Sequence, residues 1–395
     1  MNNFKTPAAW KVSHLNSKHD WVFVITEAEK KHLSASIKSI FTEDRDLFDY
    51  SPNEFNFGSS WKTIAKALSQ ALHGKGLAIV RGLPRENLSH EEFRLLSWAI
   101  GLRAGVARPQ GLASQYISAV RDDGTNYRAA NGRGYSSNAE LDFHVDVADL
   151  TILTCYNKAK SGGQSMMSSG VTAQNYLIEE RPDLAEIAYQ YFYFSRQNEQ
   201  ASDEKPFYGL PLYEEENGNL FCNWNRNRVQ SAQRLEGVPT LSSAQRETMD
   251  VLDEILMRPE LMYTMYLEPG DMQILNNYKI FHSRTGYIDF ETESKKRCLY
   301  RLWLAPPDSI KLPESWRDFY GSIEPATVRG GIRGQSYDKA CSDFDKNHAK
   351  FLKMESERRP YIRTEDNFLI ISISKVCCNQ VLWHPSRIHH QHRPA

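Results

Sequence analysis

The sequence predicts an α+β protein whose strands build a β-sandwich or jelly roll. Three observations carry this. Strand-like runs are short, recur along the chain and are closed by turn residues. Only a few stretches have helical periodicity. No internal repeat or long low-complexity linker interrupts them. The 395 residues carry a formal net charge of −1, with 41% hydrophobic and 25% charged residues, the balance of a globular chain long enough to bury a substantial core.

Taken in order, WKTIAKALSQALH (61–73) has helical spacing and ends at Gly74 and Gly76. GLAIVRGLP (76–84) reads as a short buried strand stopped by Gly and Pro. SHEEFRLLSWAIG (89–101) is a helix opened by a capping box, with Ser89 as N-cap and Glu92 three residues on. From 103 to 141 Gly, Ser, Arg and Asn prevail, so long loops are expected, of the kind compact domains use for function. Residues 141–157 are strand-like, 161–170 form a turn and short strand, and 171–188 form a helix broken at Pro182. Short strands follow near 189–195, 219–224 and 262–267, with a helix at 241–257. The turn EPGD (268–271) leads into the strand MQIL and then KIFHSR. RCLYRLWL (297–304) is the last clear strand, stopped by Pro306 and Pro307, and residues 343–358 can form a helix.

Composition excludes several classes of function. The near-neutral charge and the absence of a Lys/Arg run give no basis for nucleic-acid or membrane-surface binding. No segment approaches the roughly 18 apolar residues of a membrane span, and MNNFKTPAAWKVSHLNSKHD lacks a signal-peptide core. The six cysteines (155, 222, 298, 341, 377 and 378) show no CxxC or zinc-finger spacing. They read as reduced thiols, which makes an intracellular, cytoplasmic protein the expectation.

LDFHVD (141–146) places a histidine and an aspartate two residues apart. On a strand His144 and Asp146 share one face, with Phe143 and Val145 on the other. That is half of a metal site, or an ordinary solvated face. His282, in KIFHSR, differs from His73 and His90, which fall at helix ends, and from His14, His19 and His32 in the polar N-terminal stretch. Two histidines and one carboxylate suit non-haem Fe(II) with open positions; zinc accepts the same set. In 297–304, Arg297, Leu299, Arg301 and Trp303 share a face, opposite Cys298, Tyr300, Leu302 and Leu304. Arginines on a buried face need anions. A dicarboxylate cosubstrate would satisfy one in bidentate fashion; internal Asp or Glu partners would serve as well.

HxD, a GG-polar-Ser stretch about 20 residues on, a distant His and two arginines four apart together resemble the Fe(II)/2-oxoglutarate-dependent oxygenases, in the branch of taurine dioxygenase and clavaminate synthase. The resemblance covers roughly residues 60–310. It is strongest in LDFHVDVADLTILTCYNKAKSGGQSMMSSG and in LEPGDMQILNNYKIFHSRTGYID with KKRCLYRLWLAPP. It implies a double-stranded β-helix (jelly roll) core flanked by helices. It implies that His144, Asp146 and His282 bind iron, that Arg297 grips the distal carboxylate of 2-oxoglutarate, and that Ser165, where Thr is commoner, donates a hydrogen bond to the same cosubstrate. Arg301 corresponds to a second arginine that contacts the cosubstrate's neighbourhood or an anionic substrate group.

The implied cofactors are Fe(II), 2-oxoglutarate and O2. The implied reaction oxidises an unactivated C–H bond by hydroxylation, desaturation or cyclisation, releasing succinate and CO2. The carboxylate at 146 sets the chain apart from halogenating relatives, which lack it. A small, anionic, amino-acid-like substrate is expected, with contacts from Tyr135, Glu140, Leu141 and Arg301 and from Asn225 and Arg226 on a lid formed by FCNWNRNRV (221–229). The expected organisation is an N-terminal extension packing on the core (1–60), a jelly-roll oxygenase domain with lid insertions (61–310), a C-terminal helical segment (311–363) and a flexible tail (364–395). That tail is rich in histidine, a composition that also suits metal binding. A zinc hydrolase on the same triad and a non-catalytic jelly-roll binding module are the alternatives, and a homo-oligomer stays open.

Overall fold

The computed structural model describes residues 3–127 and 134–356. The tail expected at 364–395, with four histidines and Cys377 and Cys378, lies outside the described residues. Helices and sheets are mixed along the chain, as an α+β protein requires.

The largest sheet has seven strands. Val22–Val24, Leu77–Arg81, Met272–Asn276, Leu150–Asn157, Cys298–Ala305 and Val106–Arg108 lie side by side in that order, and Ile117–Val120 also pairs with Cys298–Ala305. Only the Val22–Val24 and Leu77–Arg81 pair is parallel. A second sheet sets Ser165–Ser169 between Tyr263–Met265 and Ile280–Arg284, all antiparallel.

The two sheets share a core in which Met167 and Ile280 of the smaller meet Leu77, Ile79, Cys155, Leu275 and Leu299 of the larger, with Trp10, Leu15 and Trp21 from the N-terminal stretch. The other face of the large sheet is covered by the helices Ser60–His73 and His90–Ala104, through Ile64, Ala67, Phe93, Leu96 and Ile100. The two faces of the Cys298–Ala305 strand divide as the period of two requires: Cys298, Tyr300, Leu302 and Leu304 face the helices. A bulge at Cys298/Leu299 offsets its start.

The expected helices and most expected strands are present. The capping box at Ser89 and Glu92 is formed, and the helices Gly170–Glu180 and Pro182–Ile187 meet at Pro182. Four readings need correction. The 103–141 stretch contains the strands Val106–Arg108 and Ile117–Val120, too short to show a period. The strand expected from 141 begins at Leu150. Before it, backbone groups bond outward in place of a ladder: Val145 donates to the Trp224 carbonyl, Gly331 donates to the Val147 carbonyl, and Asp146 donates to the Asn277 side chain.

The 221–229 stretch is no lid. Its Phe221, Cys222, Trp224 and Val229 are fully buried, and Asn225 caps the helix Arg226–Ala232. The helix placed at 343–358 runs Lys339–Phe351, started by Asp338, whose side chain accepts from the Cys341 N–H. The four cysteines of the described residues are buried and free. No helix of the described residues is long and apolar enough to cross a membrane.

Candidate active site

The site is built where the irregular 141–149 segment meets the Ile280–Arg284 strand. His144 and His282 exchange backbone hydrogen bonds, each N–H donating to the other's carbonyl at 3.0 Å. This isolated bridge, rather than a continuous strand, brings the two rings to a centroid separation of 4.4 Å. Asn277, from the NN turn after MQIL, takes the Asp146 N–H with its oxygen and donates to the Ala148 carbonyl and Thr151 Oγ1. Thr151 donates in turn to Asp146 Oδ2 at 3.0 Å. Asp146 is therefore aimed by its surroundings, with Oδ2 at 3.7 Å from His282 Nε2.

Each of His144, Asp146 and His282 offers a ligand atom, and these atoms all lie within 4.8 Å of one another, close enough to hold a metal ion. The electrostatics suit a divalent cation. Burial alone would raise the Asp146 carboxyl, but Arg301, His282 and His144 outweigh it and hold the group well below the usual carboxylate range. Burial pushes the His144 imidazole down, and burial together with His144 pushes His282 down to about 3. Two neutral imidazoles and one ionised carboxylate result, the donor set of a facial triad. His144 Nδ1 lies 2.9 Å from the Asp142 carbonyl, so the Nδ1–H tautomer donates there and leaves Nε2 as the ligand atom.

Arg301 was expected to meet the substrate. Its guanidinium instead lies 3.4 Å from Asp146 Oδ1, and its Nε donates to Gln110 Oε1 at 2.8 Å. It lines the cavity all the same, stacked 5.2 Å from the Tyr135 ring.

Arg297 is 5% exposed and lines the same cavity. Its backbone N–H donates to Asp289 and its Nη1 to the Val120 carbonyl at 3.2 Å. Gly163 of GGQ makes room for it, and Gly162 lets the chain pass the Gly286 carbonyl. Gly162 and Gly163 have φ of +70° and +72°, and a Cβ on Gly163 would stand 3.2 Å from Arg297 Nε. Ser165 also lines the cavity, its hydroxyl donating to Gln273 Oε1 at 3.0 Å.

Tyr135, Leu141 and Asn225 line the cavity as well. Glu140 and Arg226 do not. The Glu140 side chain is exposed. Arg226, at the first turn of its helix, pairs with Asp250 at 2.8 Å and with Asp253. Both were expected to touch substrate, and the pull of water on one and of two carboxylates on the other takes them away.

The sequence reading missed Arg284, Gln197, Asn227 and Arg228, all of which line the cavity. Arg284 follows His282 by two positions on the same strand and so shares its face, a signal the period of two offers. Gln197 and Asn198 both have left-handed backbone, at φ +55° and +60°, where a non-glycine residue is strained; nothing in the local sequence announces it.

An all-in-one cavity holding two histidines, one carboxylate and a buried arginine defines, on this fold, a non-haem iron oxygenase. More narrowly, the chain belongs to the taurine catabolism dioxygenase TauD, TfdA family, whose model matches residues 43–303. The protein is an Fe(II)- and 2-oxoglutarate-dependent oxygenase, and O2 is its oxidant. It is 28% identical over 312 residues to FR-33289 synthase of Streptomyces rubellomurinus (strain ATCC 31215), covering 78% of this chain and 92% of the relative. It is 26% identical over 326 residues to the taurine hydroxylase-like protein SAT17 of Stachybotrys chartarum (strain CBS 109288 / IBT 7711), covering 77% and 82%.

Among solved structures the fold is shared with asparagine oxygenase in complex with Fe(II), 2S,3S-3-hydroxyasparagine and succinate. The TM-score is 0.54 at 13% identity, over 72% of this chain and 93% of that one. Membership of an oxygenase family removes the zinc-hydrolase and binding-module alternatives.

Proposed function

We propose that this oxygenase oxidises an unactivated C–H bond of a small, anionic, amino-acid-like substrate, releasing succinate and CO2. In this reading the two sheets form a double-stranded β-helix (jelly roll) spanning residues 61–310, with residues 1–60 packed on it and a helical segment after 311. His144, Asp146 and His282 hold the iron. Arg297 and Ser165 hold the distal carboxylate of 2-oxoglutarate. Tyr135, Leu141, Asn225 and Arg301 border the substrate.

The observation that carries the reading is the co-location of the three metal-capable groups with a buried arginine in one cavity. Arg297 has no carboxylate within ion-pair distance among the described residues, and a buried guanidinium is costly without an anion. A dicarboxylate supplies one. The amino-acid class is supported by the neighbour's description, an asparagine oxygenase with a hydroxyasparagine bound.

Iron with 2-oxoglutarate and O2 supplies an oxidant able to take hydrogen from an unreactive carbon. The chain's own residues orient and enclose. Thr151 and Arg301 bond the Asp146 oxygens and fix the carboxylate's direction. Tyr135 and Leu141 wall the cavity beside the triad and so border the space a substrate would fill.

The test is anaerobic addition of Fe(II) and then 2-oxoglutarate to metal-free protein. A weak visible charge-transfer band is expected with both present and absent from His144→Ala. Substrates are then screened by succinate release, with small amino acids and other carboxylates first. Tight zinc binding with no band in the wild-type protein would overturn the reading.

A further inference from the structure

Among the described residues four arginines line the cavity, and their partners sort them. Arg301 reaches Asp146 and Gln110. Arg228 donates to the Ser195 carbonyl at 3.0 Å and lies 3.7 Å from Glu199. Arg297 and Arg284 have no ion pair among the described residues. Asp289 accepts the Arg297 backbone N–H, and Glu293 pairs with Lys296 and Arg121.

Arg284 is 5% exposed. Its Nη2 donates to the carbonyls of Ser137, at 2.9 Å, and Ala139. Its Nε and Nη1 are buried and have no hydrogen-bond partner. A guanidinium carries five donors, and leaving the three on Nε and Nη1 dry costs free energy that a ligand can recover.

The location is specific. Arg284 stands opposite Ser165 in the register of the small sheet. The Arg284 and Arg297 guanidiniums lie 4.7 and 5.0 Å from the centre of one ring, that of Tyr287. Two like charges are thus buried near each other. An anion between them relieves the desolvation and the repulsion together.

We infer that Arg284 is a second anion-recognising side chain of this cavity, forming with Arg297 a paired-guanidinium subsite for a carboxylate. The inference rests on the cavity being the 2-oxoglutarate site. The carboxylate has two sources, the distal end of 2-oxoglutarate or an acidic group of the substrate.

The experiment separates them. Fe(II)-loaded protein is titrated anaerobically with 2-oxoglutarate and, separately, with 2-oxopentanoate, which keeps the keto-acid head and lacks the distal carboxylate. Visible absorption is followed. Arg284→Gln is expected to weaken 2-oxoglutarate about tenfold or more, the worth of a charge-assisted hydrogen bond, while 2-oxopentanoate is unaffected. Arg284→Lys falls between, and this variant carries the test where the glutamine variant does not fold.

If 2-oxoglutarate binds Arg284→Gln normally, a second arm titrates acetate into protein already holding Fe(II) and 2-oxoglutarate. A saturable change in the absorption band seen only with the wild type then gives Arg284 to the co-bound anion. Identical behaviour of wild type and variant in both arms overturns the inference. Arg284 would then be a latch for Ser137 and Ala139 alone, visible as a lowered unfolding temperature with unchanged affinities. Failure of the wider reading looks different: the wild-type protein itself would not respond to 2-oxoglutarate.

Discussion

Two sets of buried arginines can be set side by side. Arg108 and Arg329 are fully enclosed and fully answered. Arg108 meets Asp345 at 2.6 Å, and Asp345 also accepts from the hydroxyls of Tyr116 and Tyr337. Arg329 meets Asp149 at 2.5 Å and donates to the carbonyls of Ile310, Ile323 and Glu324. Arg284 and Arg297 are buried nearly as deeply and, among the described residues, meet no carboxylate. The first pair ties the segment after residue 310 to the large sheet: Arg108 ends a strand, and Asp149 precedes another. The second pair faces a cavity. Complete compensation marks an arginine that holds structure together, and incomplete compensation is what the ligand-binding role proposed for Arg284 and Arg297 requires.

The largest effect is expected where compensation is complete. Asp345→Ala leaves Arg108 buried without its carboxylate and should cost about 3–5 kcal/mol of stability. Denaturant unfolding measures it. A loss below about 1 kcal/mol would mean that water reaches Arg108, and the contrast with the cavity arginines would dissolve.

The same helix carries a pH response of about the same size. His348 is buried, its Nε2 2.6 Å from the Leu102 carbonyl, and burial pushes it down from 6.5 to about 4. The unfolded chain therefore takes up a proton between pH 6.5 and 4 that the folded protein refuses. Stability is unaffected above 6.5, falls as the pH drops through that window, and levels off below about 4. At roughly 1.4 kcal/mol per pH unit the loss is about 3 kcal/mol. His348→Gln keeps a donor for Leu102 and should flatten the profile; an equally steep fall in the variant would place the titrating group elsewhere.

Arg297→Gln is the opposite case. It removes a buried charge that has no ion pair among the described residues, so the unfolding midpoint should hold or rise. The 2-oxoglutarate affinity should fall by about 1.5–3 kcal/mol. Calorimetric binding and unfolding, run on one preparation, check both. A destabilisation as large as that of Asp345→Ala, with unchanged affinity, would make Arg297 a structural arginine too.

What the sequence disclosed follows the range of the interactions involved. That His144, Asp146 and Arg297 belong to one cavity was legible because few residue types suit iron or carboxylates and their spacing is short or regular. Strand alternation, however, is absent at 141–149, since the strand begins only at Leu150. His144 and His282 come together through a bridge between segments 138 residues apart, and Asn277 sets the Asp146 backbone. Arg284 was within reach of the same period of two that placed Arg297 and Arg301 on one face, since it follows His282 by two. The pairing of Arg108 with Asp345 spans 237 positions and leaves no local pattern. The sorting of arginines into answered and unanswered is likewise invisible in sequence, because every arginine reads alike until its neighbours are known.

The smallest effect is expected at Arg226, the arginine that sequence reasoning gave to the substrate. It pairs with Asp250 and Asp253 on the helix Ser243–Leu256 and stands outside the cavity. Asp253 also accepts from Trp224 Nε1 at 2.9 Å, so it keeps a partner when Arg226 is removed. Arg226→Ala should therefore cost about 1 kcal/mol or less in stability and leave 2-oxoglutarate affinity unchanged in the anaerobic titration. An arginine of this kind is answered like Arg108 but near the surface, where solvent shares the work of compensation and the pair contributes little. A clear loss of cosubstrate or substrate affinity in Arg226→Ala would show that the helix Arg226–Ala232 turns its first residue toward the cavity during binding. The 221–229 segment would then close over the site after all, despite the buried Phe221, Trp224 and Val229 that anchor it here.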